Sequence, residues 1–226
     1  MIEMDWPDRE ALHEGLAREV AARLAGALER RGAASLAVPG GTTPAPFLER
    51  LGQARLDWGR ITVMPTDERI VTPGSERDNG AMIRRSLMRG PAAAARFLPF
   101  LGPMMVARPE HALPALVQEV DAALPLDVCV LGMGSDGHIA SLFPGADRLD
   151  AALAPDAPPV MLLRAPGAPE PRLTLTAPVL RGAGALFVLI TGADKRAALE
   201  RARAPGPVGA APVRLVLDRA RVDWAP

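Results

Sequence analysis

The feature that most constrains this chain is an alternation of short apolar runs, each closed by a turn of glycine or small polar residues, with stretches of helical spacing. Residues 8–31 are rich in Ala, Leu, Glu and Arg and place Leu12, Leu16, Val20, Leu24 and Leu28 four apart. That is the stripe of an amphipathic helix, ended by Gly32. The run 35–38 meets the turn Pro39-Gly40-Gly41-Thr42-Thr43-Pro44 and then a helical stretch over 45–53. Residues 61–64 lead into Thr66, Asp67, Glu68 and Arg69, with a helix expected over 79–89. A helix over 111–124 precedes a strand over 126–131 and the loop 132–138. The run 185–190 passes through Thr191-Gly192-Ala193-Asp194 into a helix starting near Lys195, and 213–217 reads as a last strand.

Parallel neighbours need right-handed helical crossovers, and such helices cover both faces of the sheet. The expected fold is therefore α/β: a single domain over 1–226 with a mostly parallel, doubly wound, Rossmann-like sheet and helices on both faces. The length suits one core. Stretches 154–171 and 204–212 are dense in Pro, Ala and Gly and read as surface loops, because the C-terminal third lacks elements for a core of its own.

With 49% apolar and 23% charged residues the chain is composed to fold rather than to stay disordered. Lysine plus arginine equal aspartate plus glutamate at 26 each, so no overall positive field favours nucleic acid or an anionic membrane as partner. A small anion needs only a few local cations. The one cysteine, Cys129, excludes an intrachain disulfide and reads as a buried strand residue. Residues 1–7 are acidic and lack the basic and long apolar parts of a signal peptide, and no run approaches the ~20 apolar residues of a membrane span. A cytoplasmic location is expected.

Glycines and polar residues gather after the strands, where open α/β sheets bind ligands. The Gly40–Thr43 turn is either an anion cradle or an ordinary strand-to-helix turn capped by Thr43. Asp67, Glu68 and Arg69 are site residues or a solvated charged loop. Lys195 is a surface cation or a phosphate partner, since the macrodipole disfavours a cation at a helix start. Gly132, Gly134 and Gly137 match the dinucleotide fingerprint, but Pro144 and Gly145 interrupt the helix that should follow, and Asp156 precedes the next apolar strand instead of ending it. His138, on the loop leaving a buried strand, suits proton abstraction from water, or is a satisfied structural residue. His13, His111 and His138 are far apart and the first two sit in helical stretches, so no metal site is expected. No G-x-S-x-G motif is present, and Ser141 lies inside the run 138–143.

Together these segments resemble the 6-phosphogluconolactonase family, within the larger group that includes glucosamine-6-phosphate deaminases. The matching pieces are Pro39 to Pro44, Trp58 followed by Asp67-Glu68-Arg69, and Asp78-Asn79. They continue with Leu131-Gly132-Met133-Gly134-Ser135-Asp136-Gly137-His138-Ile139-Ala140-Ser141-Leu142-Phe143-Pro144-Gly145, Arg172-Leu173-Thr174-Leu175-Thr176 and Thr191 to Lys195. They span nearly the whole chain, and the His138 segment is highly specific.

The resemblance implies a monomeric lactone hydrolase of the oxidative pentose phosphate pathway, free of cofactor and metal, whose partner is a small phosphosugar lactone. It implies that His138 activates water and that Arg69 helps hold the substrate. Gly40, Gly41, Thr42, Arg172 and Lys195 would surround the phosphate, with Asp67, Asn79 and Asp136 as further substrate-binding residues. Two departures stand out: Thr42 replaces a frequent serine, and Met64-Pro65-Thr66 precedes Asp67 where an aromatic residue is more usual. Two rivals remain at this level. An amino-sugar-phosphate isomerase or deaminase would carry Phe-Asn-Glu-Pro where Ser141-Leu142-Phe143-Pro144 stands, so its glutamate is absent. A non-catalytic sugar-phosphate or nucleotide-binding module would keep the glycine turns without needing His138.

Overall fold

A computed structural model describes residues 2–226; Met1, where the expected domain begins, lies outside the described residues. In chain order the elements are β1 (Ile2–Asp5), α1 (Arg9–Arg31), β2 (Ala34–Val38), α2 (Ala45–Leu51), β3 (Ile61–Pro65) and β4 (Asp67–Arg69). Then come α3 (Asn79–Ser86), β5 (Arg96–Phe97), α4 (Pro103–Ala107), α5 (Pro109–Asp121), β6 (Val128–Gly132) and α6 (Leu149–Leu153). The rest are β7 (Val160–Leu163), β8 (Arg172–Leu175), α7 (Ala177–Gly182), β9 (Ala185–Thr191), α8 (Ala193–Arg203) and β10 (Arg221–Ala225).

Seven strands form one sheet in the order β1-β10-β9-β6-β2-β3-β5, every neighbouring pair parallel. This is the expected mostly parallel sheet with helices on both faces. Its central strands are mostly apolar because alternate side chains enter different cores. In β6, Val128 and Val130 pack with α1 while Cys129 and Leu131 join the opposite core, and Phe187 and Leu189 of β9 separate from Leu186, Val188 and Ile190 in the same way. Burial pushes the Cys129 thiol up, consistent with an inert strand residue. Helix α1 begins where Asp8 accepts from the Ala11 N–H at 2.8 Å, and it ends at Gly32, whose φ of 72° suits a left-handed cap.

Two expectations are corrected and one open alternative is decided. The run 213–217 is not a strand: Pro212–Leu215 forms a 3-10 turn, and the last strand is β10. Val213, Leu215 and Val216 are all buried without the alternation of a sheet strand, and the Val213 N–H donates to Gly137 O at 2.9 Å. That segment props the His138 loop. The stretch 154–171 is not all surface loop, since β7 lies within it with all four residues buried; the flanking Pro158 and Pro159 disguise a short apolar strand. Asp67, Glu68 and Arg69 are not a solvated loop but β4, which pairs antiparallel with β8 in a second sheet ordered β4-β8-β7. A sequence of three charges hides a strand whose first two residues are buried.

Candidate active site

The carboxyl ends of β2, β6 and β9 open on a cleft of about 470 Å³, with β4, β8 and the start of α3 as its far wall. Gly40, Gly41, Thr42, Asp67, Arg69, Asn79, His138, Arg172 and Lys195 all line it. These are the residues expected from sequence, with one exception: Asp136 stands behind His138 instead of on the cleft wall. In the turn after β2, a Cβ on Gly40 would sit 1.9 Å from Asn79 Oδ1, and Gly41 has a φ of 100°. Only glycine permits this close approach and this backbone. Thr43 is not the cap of α2; that position is held by Pro44 and has no side-chain hydrogen bond.

His138 sits on a loop closed by a Gly134 N–H bond to its carbonyl at 2.8 Å. Its Nδ1 lies 2.6 Å from Asp136 Oδ1, which also accepts from the His138 backbone N–H at 3.1 Å. A Cβ on Gly134 would lie 2.1 Å from Nδ1, so that glycine makes room for the ring. Burial acts to raise the Asp136 carboxyl, but the charge of His138 and its hydrogen bonds outweigh that and hold it below its ordinary value. The ring of Phe143 packs on the imidazole with centroids 3.9 Å apart. Arg201 Nη2 donates to Ser135 O at 3.0 Å, tying the loop to α8. With Nδ1 engaged, Nε2 is the free nitrogen.

The far wall is basic. Arg69 and Arg172 are direct partners in the β4–β8 register, and both have a buried Nε without a hydrogen-bond partner among the described residues. Glu170 lies 2.8 Å from Arg77 and 3.9 Å from Arg172. Burial, then the neighbouring Arg69 guanidinium, push Arg172 below its ordinary value. Lys195, in the first turn of α8, is the only lysine of the chain and makes no salt bridge among the described residues. Asp67 accepts from Ser141 Oγ at 2.6 Å and from Thr66 Oγ1 at 3.2 Å, and its carbonyl accepts from Asn79 Nδ2 at 2.9 Å.

Sequence reasoning missed three roles: Ser141 as the hydroxyl on Asp67, Phe143 as the face on His138, and the complete burial of Glu68. The first two lie inside the His138 segment, so proximity in the chain was an available signal. Glu68 had none beyond its place between two site residues.

The strand ends of this parallel α/β fold bring His138, two arginines and the lone lysine to one cleft. The chain belongs to the glucosamine-6-phosphate isomerases/6-phosphogluconolactonase family, whose sequence profile matches residues 7–224. It is 45% identical over 223 residues to a 6-phosphogluconolactonase of Rhizobium meliloti, covering 96% of this chain and 95% of that protein. It is 42% identical over 231 residues to a 6-phosphogluconolactonase of Mesorhizobium japonicum, covering 98% and 94%. Among solved structures, a 6-phosphogluconolactonase from Shewanella baltica superposes with a TM-score of 0.93 at 28% identity, over 100% of this chain and 98% of that one.

Proposed function

We propose that the chain is a 6-phosphogluconolactonase, hydrolysing 6-phospho-D-glucono-1,5-lactone to 6-phosphogluconate. The observation that carries this reading is His138, oriented by Asp136 at 2.6 Å on the wall of a cleft that also holds Arg69, Arg172 and Lys195. His138 Nε2 takes a proton from water as the water oxygen bonds to the lactone carbonyl carbon. The negative charge that develops on the carbonyl oxygen is met by donors such as Arg69. The intermediate collapses with cleavage of the ring C–O bond, and the proton passes from His138 to the departing ring oxygen. Arg172, Lys195 and the Gly40–Thr42 turn hold the phosphate, because charge-assisted bonds are the strong ones. A lactone is an activated ester, so no cofactor is required.

The isomerase reading loses support at Phe143, an apolar ring packed on His138 where that branch carries a carboxylate. The direct test adds purified protein to freshly made 6-phosphogluconolactone and compares its decay with the spontaneous rate. Equal rates would end the lactonase reading. We further read the whole chain as one folding unit, and the protein as a cytoplasmic monomer without a nucleic-acid partner, since one chain supplies every wall of the cleft and its net charge is zero. No helix among the described residues is long and apolar enough to cross a membrane.

Two results are expected from this scheme. Lys195→Ala should raise KM about tenfold with kcat little changed, on the order of 1.5 kcal/mol for one partly exposed charged contact. An unchanged KM removes Lys195 from the phosphate site. Among the described residues no three His, Cys, Asp or Glu side chains group as metal ligands. Prolonged dialysis against a strong chelator should therefore leave turnover intact, and loss restored by one divalent ion would contradict the scheme.

A further inference from the structure

Glu68 takes no part in the scheme above, yet its side chain is wholly buried between Asp67 and Arg69 in the chain. We infer that Glu68 is a positioning residue: its carboxylate fastens β4, which carries Asp67 and Arg69, to the first turn of α3, which carries Asn79, and so sets the spacing of the residues that hold the sugar. One oxygen accepts from the backbone N–H groups of Arg69 at 2.8 Å and Asn79 at 2.9 Å, and the other from Gly80 at 2.7 Å. From Asn79 the connection runs on to the cleft, since its amide donates to Asp67 O and its Oδ1 abuts Gly40.

Ordinary helix capping does not account for this arrangement. Asp78 already caps α3, accepting from Ala81 N at 2.7 Å, so the bonds from Glu68 to Asn79 and Gly80 are additional and end on or beside a cleft residue. Removing a carboxylate from water is costly, and here the three backbone N–H groups of Arg69, Asn79 and Gly80 offset that cost, so the side chain is held to these two elements. Burial pushes the Glu68 carboxyl up to about 7, against the three N–H donors that favour its charged form and with the help of the nearby Asp78. The other charged groups about it are Arg69, and Arg84 and Arg85, which share with it and Asp78 the rim of a cavity of about 310 Å³ behind the site. A proton on Glu68 turns one acceptor oxygen into a donor facing an N–H, which loosens the link.

The inference rests on the lactonase reading, and its test is the Glu68→Gln variant, equal in size and unable to accept at both positions. On the basic side of neutrality its KM for the phosphorylated lactone should rise about tenfold, and kcat should fall through the displaced Arg69 but by less than in His138→Asn, because His138 stands on a separate loop. Wild-type KM should also rise as pH falls through about 7. In Glu68→Gln only the part due to the substrate phosphate, common to both proteins, should remain. Calorimetric binding of 6-phosphogluconate should weaken in parallel, a readout independent of turnover. If Glu68→Gln does not fold, Glu68→Asp, which keeps the charge but shortens the reach, should raise KM and keep the pH dependence. A wild-type KM in whichever variant folds, or a wild-type pH profile in Glu68→Gln, would overturn the inference, whereas a wild-type protein without turnover would overturn the lactonase reading instead.

Discussion

Replacing His138 with Asn will lower kcat by about 10²–10⁴ and leave KM little changed. Asparagine keeps part of the volume and can still accept a hydrogen bond, but it cannot take a proton from water. The fold should survive, because the loop is held independently of the imidazole by Val213 N–H on Gly137 O and by Arg201 on Ser135 O. A histidine that merely fills space predicts the opposite pattern: a lower melting temperature and near-normal kcat in the folded fraction. Measuring kcat and melting temperature on the same preparation separates the two, and near-normal kcat removes His138 from the chemistry.

Asp136→Asn should lower kcat by about 10² with KM nearly unchanged, because the aspartate acts on the base and not on the substrate. As a carboxylate, Asp136 only accepts, so at 2.6 Å it requires the proton on His138 Nδ1 and leaves the lone pair on Nε2. An asparagine amide can turn its NH₂ to Nδ1, which moves the ring proton to Nε2 and removes the base from the cleft. About half of the Asp136 side chain is exposed, so water partly replaces it and the effect stays below that of losing His138. If Asp136→Asn retains wild-type kcat, orientation by the carboxylate is not needed. If it raises KM instead, Asp136 belongs among the substrate contacts, as its place in the motif first implied.

The contrast between Asp136 and His138 shows how far the chain could be read directly. Runs buried on both faces, as in β2, β6 and β9, declare themselves because nearly every residue is apolar, and the helical stripe of α1 repeats four apart for a similar reason. The glycines of 40–41 and the His138 loop lie at the ends of those runs, so the location of the site followed from the order of elements. Lys195 was legible as a cation at a helix start, whereas Arg172 entered only through the resemblance.

Sequence alone determined the parallel sheet, the strand ends that bear the site, and the residue types available for catalysis, because burial pattern and turn chemistry are local properties. Only the tertiary structure decided what each group meets. Asp136 lies on Nδ1 and not on the cleft wall, Glu68 is enclosed and not solvated, Val160–Leu163 enters a second sheet, and the run 213–217 props a loop instead of pairing as a strand. Apart from Asp136, whose partner His138 is two residues away, each of these depends on which distant backbone N–H or apolar face lies opposite. A polar side chain carries no mark of that partner in its own neighbourhood, since hydrogen bonding to water in the open chain and to protein in the fold satisfies it equally well until packing removes the water.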